Sequence, residues 1–272
     1  MMELIDTHCH LTSDELAVDL DAVLARSQMQ GVSEWITIGT DLEHSHSAVA
    51  LAQRIEGLVA AVGLHPHDAK HLTHDCMETL QHLAGHPEVV AIGETGLDYH
   101  YEFSSRKEQI EAFERHLTLS AAEKLPVVIH TREAYDDTLA VLDQFRDRLD
   151  HVVLHCFSGN AEEAGKALDR GFYLSFTGVV TFKSAHEIRA AARIVPLERL
   201  MVETDCPYMS PVPMRKQRIN EPALLIHTVR FLAELREMDL AEFAHRTTEN
   251  ARRFFALERV AKRGNGFKKP SV

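Results

Sequence analysis

Eight short apolar runs, each followed by sequence of helical character, constrain this chain's fold more than any other feature. They occupy 4–9 (LIDTHC), 34–39 (EWITIG), 58–63 (LVAAVG), 89–94 (VVAIGE), 126–130 (PVVIH), 151–155 (HVVLH), 172–178 (FYLSFTG) and 199–205 (RLMVETD). Each is rich in Val, Ile or Leu and short enough for a strand buried on both faces. The intervening segments are amphipathic. From Asp14 to Gln30, Leu16, Leu20, Val23 and Leu24 recur at helical spacing, and Gly31 follows as a stop. Gly57 and Gly171 end later helices in the same way. Eight such units in about 250 residues predict an α/β fold, a single-domain (β/α)8 TIM barrel. The competing architecture is an open doubly wound sheet. It would normally offer a Gly-rich phosphate loop after the first strand, and this chain has none there. The barrel is assigned to residues 1–260. The basic stretch 261–272 (AKRGNGFKKPSV) lacks apolar periodicity and is predicted to be a disordered tail.

Charge and composition narrow the function. The net charge of −12, from 29 Lys and Arg against 41 Asp and Glu, argues against broad non-specific binding to duplex nucleic acid. No basic groove or interleaved aromatic stripe is visible in the sequence. No apolar stretch approaches the roughly 20 residues of a membrane span. The start MMELIDTHCH has no basic region followed by an apolar run. A cytoplasmic protein that does not bind membranes is expected. Cys9, Cys76, Cys156 and Cys206 lie far apart and read as reduced thiols with packing roles. The chain carries 18 histidines. His44, His82, His116 and His227 fall on predicted helices or loops and are expected at the surface.

The ends of the apolar runs carry the chemistry. Run one closes on His8-Cys9-His10, run four on Glu94, run five on His130, run six on His155 and run eight on Asp205. In a parallel barrel the C-terminal strand ends open on one face, so residues distant in sequence converge there. His8 and His10, two apart on a strand, share a side and can grip one ion, while Cys9 turns away. An isolated pair of this spacing arises often by chance. Five strand ends bearing only His, Glu or Asp do not, and a buried group of this kind needs a partner. The mixed imidazole and carboxylate set suits Zn, Mn, Fe or Co and tolerates Mg. Glu94 can offer one oxygen to each of two ions.

These residues sit within seven ordered motifs: His8/His10, GLHPHDA at 63–69, GETGLDY at 93–99, HTREA at 130–134, HCFSG at 155–159, ETDCPYMSP at 203–211 and NEP at 220–222. The pattern resembles the TatD-type metal-dependent deoxyribonucleases of the amidohydrolase-like barrels, over nearly the whole chain. The resemblance implies hydrolysis of DNA phosphodiesters, often from the 3′ end, with two divalent ions (Mg, Mn or Zn). It also implies the ligand sets. His8, His10 and Glu94 would hold one ion, and Glu94, His130 and His155 the other. Asp205 would bind metal and act as general base. Members commonly carry Arg-Gly-Lys before the Asn-Glu-Pro element. Here the segment reads Arg215-Lys216-Gln217-Arg218-Ile219, which bears on substrate preference more than on metal binding.

Around this set the residue-level readings divide. His65 either donates to a phosphate oxygen or leaving group, or shapes its loop with Pro66; His67 is read as a loop residue. Arg132 either forks onto a phosphate or pairs with Glu133 or Asp136. Glu203, two before Asp205, is expected to support a ligand, and Asp98 to hold the second nitrogen of a ligand His. Tyr99 either stacks on a base or anchors its loop. Lys183 either meets a phosphate or is simply solvated. The expected function is a metal-dependent hydrolase of DNA, RNA being a further candidate substrate, acting 3′ to 5′ on single strands. Hydrolysis of an ester or aminoacyl-tRNA linkage on the same fold is the alternative, and an idle binding scaffold is a second. The sequence leaves the oligomeric state open.

Overall fold

Residues 2–101 and 103–258 are described by the computed structural model. Eight strands run β1 (Leu4–Cys9), β2 (Val32–Ile38), β3 (Leu58–Val62), β4 (Val89–Asp98), β5 (Val127–Arg132), β6 (Val152–Leu154), β7 (Tyr173–Phe176) and β8 (Leu200–Val202). The helices are α1 (Asp14–Ala17), α2 (Leu20–Met29), α3 (Leu42–Ala52), α4 (His74–Ala84), α5 (Arg106–Glu123), α6 (Tyr135–Phe145), α7 (Ala161–Leu168), α8 (His186–Ile194), α9 (Leu225–Leu235) and α10 (Leu240–Phe254). The strands neighbour one another in sequence order, β1 to β8. Every ladder in that series is parallel. This is the TIM barrel that the alternation predicts. The proposed tail, 261–272, lies outside the described residues.

The seam between the first and last strands is closed largely by residues past the end of β8. The amide of Asp205 donates to His8 O at 2.9 Å, and that of His10 to Cys206 O at 2.9 Å. The Thr7 hydroxyl donates to Val202 O at 3.0 Å. Asp6 accepts from the Thr204 amide at 2.9 Å and from its hydroxyl. Closing the barrel therefore also fixes His8 and His10 against Asp205.

Two apolar layers follow from the two faces of each strand. One face packs Leu4, Trp35, Leu58, Val62, Ile129 and Leu154 with the surrounding helices. The other fills the barrel with Ile5, Ile36, Ile38, Val59, Val90, Val128 and Met201. Phe254, at the end of α10, closes the N-terminal mouth. Its ring meets Tyr173 of β7 at 5.1 Å and His151, just ahead of β6, at 5.7 Å. The opposite mouth is left to polar residues.

The structure departs from the sequence reading in three places. The segment 14–30 is two helices, because Asp19 leaves the helical region at φ −141. Apolar spacing reports which faces are buried and is blind to that break. Strand β4 runs four residues past Glu94, to Asp98. Gly96 disguises this extension. It has φ 137, and a Cβ there would run into His130 O. Only glycine lets the two strands approach this closely. Third, His116 is buried on α5, not exposed. Its Nδ1 lies 2.7 Å from Ala112 O, and its Nε2 accepts from the Leu64 amide at 3.0 Å.

Candidate metal centre

The barrel's C-terminal mouth gathers all six residues that end the apolar runs. His8 lies in β1 and His10 just beyond it. Glu94 and His130 lie inside β4 and β5. His155 follows β6, and Asp205 stands three residues past β8. Asp205 and Cys156, next to His155, both have positive φ, 53 and 44. These left-handed conformations are costly for non-glycine residues and are held by the surrounding bonds. The Cys156 amide, for example, donates to Glu203 Oε1 at 2.6 Å.

On the Oε2 side of Glu94 the separations fit a cation. Ligands about 2.0–2.2 Å from a tetrahedral ion stand roughly 3.3–3.5 Å from each other. His8 Nε2 lies 3.3 Å from His10 Nε2 and 3.4 Å from Glu94 Oε2. His10 Nε2 is 3.2 Å from Asp205 Oδ1. On the far side of Glu94, its Oε1 lies 2.9 Å from His130 Nδ1, 2.7 Å from His155 Nε2 and 3.6 Å from His65 Nε2. Glu94 thus presents one oxygen to each of two groups, and each of the six residues belongs to at least one triad compact enough to hold an ion.

An outer carboxylate sets which nitrogen of His130 faces the cluster. His130 Nε2 donates to Asp98 Oδ2 at 3.1 Å, and Nδ1, 2.9 Å from Glu94 Oε1, is the nitrogen that would meet an ion. Burial pushes the Asp98 carboxyl up, but hydrogen bonds from His130 and His67 outweigh it and hold the group well below the usual range. Glu203 lies 3.4 Å from His155 Nδ1, an ion-pair separation too loose for a well-formed hydrogen bond. Glu203 is itself fixed by Ser175 Oγ at 2.6 Å and the Cys156 amide. Burial alone would raise Glu94; the charge of His155 and hydrogen bonds from His130 and His155 bring it well below its ordinary value. An ionised Glu94 is what a bridging ligand requires.

His65 behaves differently from the rest. Its Nδ1 accepts from the His67 amide at 3.1 Å. The neutral ring therefore carries its proton on Nε2, which faces Glu94. Burial holds this ring well below the ordinary histidine value. A neutral Nε2–H is a hydrogen-bond donor and has no lone pair for metal. His67 is more than a loop former, since its Nε2 lies 2.9 Å from Asp98 Oδ2.

The motif from 5 to 256 matches the family model described as TatD related DNase. The chain belongs to the TatD-related DNase family. It is 41% identical over 256 residues to a Cronobacter sakazakii protein named 3'-5' ssDNA/RNA exonuclease TatD, covering 93% of this chain and 97% of that one. It is 37% identical over 254 residues to the uncharacterized metal-dependent hydrolase YabD of Bacillus subtilis, covering 93% and 99%. The crystal structure of YJJV, a TatD homolog from Escherichia coli, superposes with a TM-score of 0.88 at 30% identity, covering 93% of this chain and 98% of that one.

Other candidates from the TatD-like motifs fall outside the cluster. The Tyr99 hydroxyl donates to Asp137 at 2.8 Å, and Arg106 covers its ring at 4.0 Å. Those contacts make it a loop anchor, with a ring face already taken. Arg132 pairs with neither Glu133 nor Asp136. Glu133 meets His100 and Asp136 meets Lys166. The Arg132 guanidinium lies 5.0 Å above the Tyr101 ring instead. Lys183 lines a cleft of about 720 Å³ with Phe182, Ser184, His186, Val212 and Arg215. The cleft lies between the loops after β7 and β8, which are tied by Val212 N donating to Thr181 Oγ1 at 2.8 Å. Sequence reasoning missed Asp6, whose two-residue spacing from His8 was the available signal. It also missed Tyr208, which meets the His10 ring at 6.0 Å. No spacing rule marks Tyr208.

Proposed function

We propose that this chain is a divalent-metal-dependent exonuclease that shortens single-stranded DNA, and RNA, from the 3′ end. The observation that carries this reading is the two-sided cluster around Glu94. His8, His10, Glu94 and Asp205 would hold one ion, and Glu94, His130 and His155 the other. Bound ions supply positive charge for a phosphate and make water acidic enough to attack near neutral pH. That local charge offsets the −12 of the chain where a phosphate would sit.

The protein's own groups manage position and protons. The Asp205 carboxylate, ionised and 3.2 Å from His10, accepts the proton of the attacking water. His65 offers its Nε2–H to a phosphate or leaving oxygen, as its tautomer favours. Asp98 holds the far nitrogen of His130, which leaves Nδ1 to face an ion, and Glu203 stands beside His155 as a charged neighbour. Lys183 and Arg215 offer cations to the incoming backbone along the cleft between the last two loops. The name of the Cronobacter relative, a 3'-5' ssDNA/RNA exonuclease, supports the polarity and the strand preference. Among the described residues no helix is long and apolar enough to cross a membrane. All four cysteines are free, which supports a reducing, cytoplasmic setting.

The test is digestion of a 5′-labelled single-stranded oligomer with Mg or Mn, comparing native protein with Asp205→Asn and Glu94→Gln. A ladder that shortens from the 3′ end, absent from both folded variants, is expected. If the metal-loaded native protein leaves DNA and RNA intact but cleaves an ester or aminoacyl-tRNA, the substrate assignment is wrong.

A further inference from the structure

Two aromatic rings stand exposed between β4 and α5. Tyr101 is 41% and Phe103 is 56% exposed, among the larger apolar side chains left to water. They are stacked on one another, with centroids 5.4 Å apart and planes 16° from parallel. They are also anchored. Both rings meet His67 edge to face, at 5.4 and 5.0 Å. His100 packs against Tyr101 at 4.6 Å, and Arg132 lies over it. His67 is bonded to Asp98, and Asp98 to His130. The pair is therefore built onto the same network that positions the metal-facing nitrogens. Ring-centroid steps of 6.4 Å from His130 to His67 and 5.0 Å from His67 to Phe103 place it beside the centre.

We infer that Phe103, backed by Tyr101, presents a stacking platform for one nucleobase of the single strand, close to the phosphate being cut. This rests on the nuclease reading above. A flat, anchored pair of rings costs little entropy to present and accepts any base, because every base has a π face. Arg132 adds a cation beside the platform, suited to the phosphate that joins the stacked nucleotide to its neighbour. The occupant is thus an apolar ring carrying an anionic link, which matches a nucleotide and matches poorly an apolar peptide or a duplex, whose bases are already stacked. The platform also explains how a chain without an aromatic stripe in its sequence could hold a single strand: the rings come from one loop and the cation from another strand.

The experiment is fluorescence anisotropy with single-stranded oligomers in which one abasic nucleotide is walked inward from the 3′ end. It uses the Asp205→Asn protein at saturating Mg, with and without Phe103→Ala, and circular dichroism to confirm that both fold. The parent should show one position where the abasic nucleotide weakens binding by about five- to a hundredfold. Phe103→Ala should bind the intact oligomer weakly by a similar factor and be indifferent to the abasic nucleotide there. Phe103→Trp should restore the sensitivity. If Phe103→Ala keeps the parent's abasic profile, or no position is sensitive, the platform is refuted while the nuclease reading stands. If native protein neither cuts nor binds any oligomer, the nuclease reading fails and the platform falls with it.

Discussion

Acidification should destabilise this fold through His116, and the size of the effect can be worked out. The imidazole is fully buried, its Nδ1–H donating to Ala112 O and its Nε2 accepting from the Leu64 amide. A proton added to Nε2 would face another N–H at a site shut off from solvent. Burial accordingly pushes this histidine down to about 4, from an ordinary 6.5. The folded state favours the neutral ring and the unfolded chain takes up the proton first. The stability is thus complete above pH 6.5 and is lost progressively as pH falls toward 4. A gap of about 2.5 units corresponds to roughly 3 kcal/mol. The perturbation is His116→Gln, whose amide oxygen can still accept a bond but cannot titrate. At pH 7.5 the variant should lose about 1–2 kcal/mol from imperfect packing and bonding. Between pH 6.5 and 4 its stability should decline less steeply than the native protein's, by a total of about 3 kcal/mol. Urea unfolding of both proteins, stripped of metal by chelator, gives the comparison, because the other histidines titrate alike in each. Parallel stability curves across that range would refute the reasoning.

Three further outcomes follow from the geometry. Glu203→Gln should remain folded but weaken metal binding by about 10- to 100-fold, read by calorimetric titration, because the group that fixes His155 and the Cys156 amide loses its charge. Two glycine substitutions should have opposite signs in thermal melts. Gly96→Ala, with φ 137 and His130 O in the way, should cost several kcal/mol or abolish soluble protein, whereas Gly165→Ala, inside α7 with nothing within 4 Å, should gain about 0.5–1 kcal/mol. Charge reversal of Lys183 or Arg215 should raise KM for a DNA oligomer with little change in kcat. Each should also reduce the salt dependence of binding by about one phosphate contact, and an unchanged slope would remove the cleft from the substrate path.

The barrel and the identity of its polar residues were determined by the sequence alone. Eight apolar runs at strand length leave few ways to bury both faces, and a parallel barrel then brings the run ends to one mouth. His8, His10, Glu94, His130, His155 and Asp205 are therefore legible together in the sequence. Tertiary structure decided everything that depends on which way a side chain faces and what it meets. Gly96 hides four residues of β4, because a glycine in a strand reads as an end until its neighbour is known. His116 reads as a surface histidine on a helix, because helical spacing says nothing about a backbone amide 52 residues away. Tyr99 reads equally as a stacking ring or a loop anchor and is covered, while Tyr101 and Phe103, which no spacing marks, stand stacked beside the centre. Linear order carries periodicity and residue type. Tautomer, ring face and contact across the barrel depend on atoms supplied by other strands, and only the closed fold brings those atoms within reach.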